Sequence, residues 1–435
     1  MKKTVALFLV MVLIAGLLNA CGNGNENDKP NGNQNVSEKE KLTIWSYDTT
    51  TTEAMVEEYK KVYSDADIEI VPVDGDSYEQ LLQTALFTET DVPDIIWGDY
   101  FSRGKIFSLG ICEDLSKEPY NLDTSLVSSW VLDLCKNENG ELLGLESGPA
   151  PTGLLFKRDI CKQYLGTDDE AELSEMFSTW EGFLTACRKI YNDSNHKVVP
   201  FASLGDVYCV VVGMKNIPYM VDGKQNIDKV CEEVFPLMET FLKEGLCGKI
   251  DQWTAAYYSS YNSSKYAFHI CPAWCPDYHI KENAKEQAGN LGICMPAGGK
   301  LFNFGGTSFS IYNKSQNKGD AWQFIQWVLL SEEGQRNVQS NLIAKGSSGG
   351  VGTLATLYED SMYDREDDFF GGQNILKFFT ENMDKVNGRP VTKYDTAFSD
   401  SLGLVLNSMK NGLSAADCKT KVMDELKLKL PELFQ

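Results

Sequence analysis

The strongest restriction on the fold lies between residues 42 and 97, where extended and helical patterns alternate. Leu42 to Tyr47 reads as a strand, and Met55, Val56, Tyr59, Val62 and Tyr63 follow at helical spacing behind a run of threonines. Ile68 to Val73 is a second strand. Ser77 and Gln80 form a capping-box pair ahead of a helix face made by Tyr78, Leu81, Leu82, Ala85 and Leu86, and Pro93 to Trp97 is a third strand. Strand, helix, strand, helix, strand predicts a parallel sheet with helical crossovers. Ligands of such sheets meet the loops beyond the carboxyl ends of the strands, so Tyr47, Asp48, Asp99 and Tyr100 are expected to face one crevice. No glycine fingerprint follows the first strand, which argues against a dinucleotide enzyme.

A chain of 435 residues is too long for one small core and suits two lobes of ordinary size. Its 62 acidic residues outnumber 40 lysines and arginines, a balance that repels nucleic acid and anionic lipid. The amino terminus carries its own pattern: Lys2 and Lys3 precede an apolar run from Val5 to Leu18, long enough for a signal-peptide core and short for a bilayer span. Residues 22–40, GNGNENDKPNGNQNVSEKE, cannot bury a core and read as a flexible tether.

Further along, the glycine- and proline-rich segment from Leu143 to Pro151 reads as a first hinge crossing, followed by a strand-like run from Thr152 to Phe156. Thr179 caps a helix with Phe183, Leu184, Cys187, Ile190 and Tyr191 on one face, and a second helix spans Val230 to Leu242 with Pro236 inside it. The stretch KYAFHICPAWCPDYHIKENAKEQAGNLGICMPAGGKLFNFGGTSFSIY, from Lys265 to Tyr312, holds Trp274 on a turn between two prolines. Its apolar run Leu291 to Met295 is expected to follow a return crossing at Asn290. A helix with Ala321, Phe324, Ile325, Val328 and Leu329 on one face comes next. Near the carboxyl end, Phe398, Leu402, Val405, Leu406 and Met409 mark a helix that stops at Gly412, and Ser414 caps the last one.

Several chemistries are excluded by what is missing. Gly346 to Gly350 matches a hydrolase nucleophile elbow, but that mechanism needs a histidine after the serine, and His279 is the last in the chain, so the segment reads as a flexible loop. No phosphate loop and no helical zinc motif occur. His269, Cys271, Cys275 and His279 gather possible ligands, yet their spacing matches no zinc finger and a buried pair of thiols is the expectation; neither a metal nor a cofactor is assigned. Carboxylates at Asp48, Asp99 and Glu146 suit either a glycosidase pair or a sugar-binding cleft, because an ionised carboxylate accepts two hydroxyls and an indole covers the C–H face of a pyranose. With 21 phenylalanines, 19 tyrosines and 8 tryptophans, most aromatics must be core, and only position on loops singles out Tyr47, Tyr100, Trp274 and Tyr394.

Taken in order, LTIWSYDTTTTEAMVEEYKKVY, VPDIIWGDY with EDLS, GLESGPAPTGLLFKRDI, TWEGFLTACRKI, the Ala273-Trp274 turn, PAGG, and GGTSFSIYNKS leading to AWQFIQWVLLSEEGQ resemble the extracellular solute-binding proteins of family 1, relatives of maltose-binding protein. Leu18-Asn19-Ala20-Cys21 likewise resembles the lipobox of bacterial lipoproteins. The resemblance implies a two-lobed periplasmic-binding-protein-like α/β fold, with a ligand cleft between lobes joined by hinge crossings. It implies a signal peptide at 1–20, a tether at 21–40 with lipid on Cys21, one lobe at 41–150 and 291–343, and a second at 151–290 and 344–435. Asp48, Asp99 and Glu146 would accept sugar hydroxyls, Trp274 and Tyr394 would stack on rings, and Gly305 and Gly306 would let backbone approach the ligand. The implied partners are a carbohydrate and the permease subunits of an ABC importer, with a monomer held by lipid at the outer face of the membrane and no nucleic acid bound. A surface-anchored glycan hydrolase, an adhesin with no small ligand, and a binder of a peptide or polyol stay open as alternatives. The remaining eleven cysteines are odd in number, so at least one thiol is expected to be free.

Overall fold

The alternating segment folds as its periodicity requires. In the computed structural model, which describes residues 41–434, strands Leu42–Ser46, Ile68–Pro72 and Ile95–Asp99 run parallel, linked by helices Thr49–Val62 and Tyr78–Thr88. The first helix buries Met55, Val56 and Tyr59 and leaves Val62 exposed. The Ser77–Gln80 box does not form: Ser77 takes helical dihedrals at the end of a short 3₁₀ turn and makes no side-chain cap bond. Asp74 caps that turn instead, its Oδ1 accepting from the Asp76 N–H at 3.1 Å. Two antiparallel strands complete this sheet, Thr307–Ile311 beside Ile95–Asp99 and Leu145–Gly148 beside Thr307–Ile311.

The second sheet is built around Pro151–Lys157, which pairs antiparallel with Tyr266–Pro272, Leu291–Cys294 and Leu301–Asn303. Val199–Phe201 and Val386–Asn387 add parallel edges. Side chains alternate across its faces as a pleated strand demands. Leu154 and Phe156 join a cluster with helices Trp180–Asp193, Leu204–Lys215 and Ile227–Lys243, whereas Leu155 joins the cluster that continues into the first sheet. The helices Asp395–Lys410 and Ala415–Lys429 close the first of these two clusters through Phe398, Leu402, Val405, Met409, Cys418 and Val422.

Two lobe boundaries differ from the expectation. Residues 291–303 were expected in the first lobe, but Leu291–Cys294 and Leu301–Asn303 hydrogen-bond to the central strand of the second sheet, so the return crossing is Phe304–Gly306. An apolar run is equally satisfied by either sheet, and only pairing chooses. Residues 346–363, expected in the second lobe, stay on the first: Gly350 N–H donates to Gln339, Gly352 N–H to the Tyr363 hydroxyl, and Arg336 pairs with Asp360 at 2.7 Å. A third crossing therefore follows Tyr363.

All eleven cysteines from Cys112 to Cys418 are buried and free. They pack as small apolar residues, and burial pushes their thiols up where a shift is resolved. No helix among the described residues is long and apolar enough to cross a membrane. The signal segment, the tether and Cys21 lie outside the described residues.

Candidate functional site

Two strand ends deliver the first-lobe side of the site. The strand Leu42–Ser46 stops at Tyr47 and Asp48, and Asp48 Oδ1 caps helix Thr49–Val62 by accepting from the Thr51 N–H at 3.2 Å. The strand Ile95–Asp99 ends on a carboxylate that does the same for helix Tyr100–Ser108, accepting from the Phe101 N–H at 2.8 Å. The other oxygen of Asp99 accepts from the Tyr47 hydroxyl at 3.1 Å, and the Tyr47 ring stands edge-on to Trp97 at 3.7 Å. Burial pushes the Asp99 carboxyl up against the pull of these donors, and burial beside Asp99 raises the Tyr47 phenol.

The second lobe contributes the turn after strand Tyr266–Pro272. Trp274 is oriented by an Nε1–H bond to the Phe304 carbonyl (3.1 Å) and by neighbouring Trp253 and His279 rings at 5.8 and 5.6 Å. Tyr278 lines the same cavity as Asp48; burial first, then the nearby Asp48 charge, raises its phenol. Burial lowers His279, so its imidazole is neutral at pH 7. Asp277 fixes the facing loop, accepting from the Ser348 N–H at 2.8 Å and from the hydroxyls of Ser347 and Ser348. The segment expected to be a flexible loop is therefore pinned, because its serines have a carboxylate partner that lies about seventy residues earlier in the chain.

Between the lobes lies a cavity of about 740 Å³. Of the residues singled out from the sequence, Tyr47, Asp48, Asp99, Trp274, Gly305 and Gly306 line it, and none of its lining residues is lysine or arginine. Gly305 and Gly306 adopt φ of +92° and +101° in the return crossing. A Cβ on Gly305 would meet the Trp274 indole at 2.8 Å, and one on Gly306 would collide with Glu146 Oε1. These glycines thus let the crossing thread between an aromatic platform and a buried carboxylate.

Three expected residues lie elsewhere. Glu146 is 0% exposed and pairs with the equally buried Arg103 at 2.6 Å, behind the cavity wall; burial pushes its carboxyl up to about 7 against the attraction of Arg103. Tyr100 points inward, buried near Arg389, whose guanidinium lies 3.6 Å over the Tyr219 ring and pairs with Asp395. One residue of helix is a 100° rotation, so it is Phe101 that faces the cavity. Tyr394 packs against Phe398 at the start of helix Asp395–Lys410, away from the cleft. The four possible metal ligands separate: His269 is buried against the Ser260 hydroxyl at 2.8 Å, Cys271 and Cys275 are core, and His279 faces the cleft. Among the described residues no three such groups are arranged to hold a metal ion.

Sequence reasoning missed Phe101, Asp277, Tyr278, Gln335, Gln339 and the 347–352 loop as cavity residues. The signal for Asp277 and Tyr278 was present, since they share the turn that was singled out for Trp274. Gln335 and Gln339 sit four apart on one face of helix Glu332–Ala344, which only the packing of that helix points at the cleft.

No family model matches the chain. A lactose-binding protein from Rhizobium radiobacter is 22% identical over 364 residues, which cover 78% of this chain and 81% of that protein. A crystal structure described as an extracellular solute-binding protein of family 1 superposes with a TM-score of 0.80 at 17% identity, covering 89% of this chain and 99% of the other. The galacto-N-biose/lacto-N-biose I-binding protein of an ABC transporter from Bifidobacterium longum, solved with lacto-N-biose, gives a TM-score of 0.71 at 16% identity over 92% and 99%. This chain has the two-lobed α/β fold of these binding proteins.

Proposed function

We propose that this chain is the substrate-binding protein of an ABC importer, capturing a carbohydrate in the interlobe cleft and handing it unchanged to a membrane permease. The observation that carries the reading is the cavity itself. Aromatic faces at Trp274, Tyr47 and Tyr278 and carboxylates at Asp48 and Asp99 converge there from two lobes joined by crossings. Such surfaces grip neutral, hydroxyl-rich ligands: rings cover C–H faces while carboxylates accept hydroxyls. Contacts to both lobes would favour the closed arrangement by their differential affinity. The sugar-binding names of the similar proteins point the same way. The lipobox reading places a lipid on Cys21 and the protein at the outer face of the membrane. A hydrolase working through Asp99 and Glu146 finds no support in this geometry, because Glu146 is sealed behind the wall by Arg103.

The test is thermal unfolding of the protein against lactose, lacto-N-biose, β-1,6-galactobiose and maltose, with Trp274→Ala alongside. A ligand that binds only the folded state adds about 2.7 kcal/mol at a hundredfold excess over its dissociation constant. We expect one sugar to raise the melting temperature, to be recovered intact, and to lose its effect on the alanine variant. If no sugar moves the parent, the carbohydrate reading is wrong. If the sugar is cleaved, the receptor reading is.

A further inference from the structure

No lysine or arginine lines the cleft, and the helix ends aimed at it are taken up by the chain's own carboxylates. Two helices, Thr49–Val62 and Tyr100–Ser108, aim their amino termini at the cavity, and a free helix amino terminus is a ready anion site. Here both ends are occupied by the chain's own carboxylates, Asp48 on Thr51 N–H and Asp99 on Phe101 N–H. Arg103, behind the wall, is neutralised by Glu146. Arg365, which touches the lining loop, is exposed and gives an N–H to the Ser347 carbonyl at 3.4 Å. Lysine and arginine are absent from the lining, and three aspartates, Asp48, Asp99 and Asp277, are present. Asp277 is committed to Ser347 and Ser348, which leaves Asp48 and Asp99, the latter also accepting from the Tyr47 hydroxyl, as the carboxylates that face a guest.

We infer that this cleft is selective by charge: it admits neutral and amino sugars and rejects uronic, phosphorylated or sulfated ones, with Asp48 and Asp99 as the residues that set the discrimination. The inference rests on the carbohydrate reading above and deepens it. An anionic group entering the cavity would lose water, find no cation, and meet two carboxylates at helix ends that would otherwise have received it. An ammonium in the same place would be attracted by both, and an aromatic wall that covers a sugar ring also accepts a cation at its face.

The experiment titrates the parent protein, at pH 7 and low salt, with lactose, cellobiose and maltose. Each is matched to a counterpart whose terminal CH₂OH is a carboxylate and to one carrying a single amino group. For whichever disaccharide binds, we expect the uronate to bind at least about tenfold more weakly than the neutral form. The amine should bind as well or better, and the gap should shrink as salt rises. Asp48→Asn and Asp99→Asn, each checked for an unchanged melting temperature, should narrow the uronate penalty several-fold. A uronate that binds as tightly as its neutral parent overturns the charge selectivity while leaving carbohydrate binding intact, and so does a penalty unchanged in both variants. Failure of every disaccharide of every charge would instead overturn the carbohydrate reading on which this rests.

Discussion

The buried ion pair behind the cleft wall gives the sharpest test of how the first lobe is held together. Arg103 and Glu146 are both 0% exposed and meet at 2.6 Å, one on the helix that follows Asp99 and the other on the strand leading into the first crossing. The other Arg103 bonds are long, 3.3 Å to the Leu134 carbonyl and 3.4 Å to the Gly98 carbonyl, so backbone cannot replace the carboxylate. Glu146→Gln keeps the shape and removes the charge, leaving a guanidinium uncompensated in the core, which costs about 3–5 kcal/mol. Unfolding entropy of roughly 2 cal/mol/K per residue, for a unit near 400 residues, turns this into a fall of roughly 4–6 °C in melting temperature. Adding Arg103→Met removes the orphan charge, and the double variant should recover most of the loss, since a buried pair replaced by apolar groups of similar volume is often neutral. Calorimetry on the four proteins of the cycle measures this directly. The reasoning is refuted if Glu146→Gln melts with the parent, or if the double variant is no more stable than the single.

Gly306→Ala should be among the most damaging small changes, because φ of +101° costs a side chain on the order of 1–3 kcal/mol and its Cβ would collide with Glu146; a variant melting within a degree of the parent would sink that expectation. Asp206, fully buried and accepting from the Tyr257 hydroxyl and the Gln252 amide, has its carboxyl pushed up by burial to about 7. Between about pH 4 and that value the folded protein keeps a proton the unfolded chain has released, so stability falls as pH rises through this window, by on the order of a few kcal/mol. Asp206→Asn should flatten the slope and gain stability at pH 7, and equal slopes in the two proteins would count against it. Asp277→Ala frees Ser347 and Ser348, and hydrogen exchange across 346–352 should accelerate at least about tenfold, since charge-assisted bonds of this kind contribute about 1.5–3 kcal/mol. Unchanged protection would mean that Gln339 and Tyr363 hold the loop alone.

Local pattern carried the reading wherever one element's own residues settle its form. The parallel start of the first sheet followed from periods of two and 3.6, and Thr179 and Ser414 cap their helices through Gly182 and Asp417 N–H as expected. The burial of Ala321, Phe324, Ile325, Val328 and Leu329 on one helix face followed likewise. Part of the cavity was legible for the same reason: residues just past a strand end must lie at the sheet's carboxyl edge, and Tyr47, Asp48 and Asp99 do. Trp274, held between prolines, had no regular element to disappear into.

What failed depended on partners far away in sequence. Glu146 reads as an exposed hinge carboxylate until Arg103, on another element, draws it into the core; Tyr100 and Phe101 exchange roles because Arg389 waits on one side of their helix and the cavity lies on the other. The strand Leu291–Cys294 was identifiable, but its sheet was not, since pairing with Lys157–Leu154 is a contact over more than a hundred residues. By itself the sequence determined the elements, the order in which they alternate, and the strand ends that must face a crevice, because those follow from short-range sterics and periodic burial. Tertiary structure alone decided which carboxylates remain in the cleft and which are neutralised behind it, because a charged side chain's position is set by the counter-charge that desolvates with it, and that partner is brought near only by the completed fold.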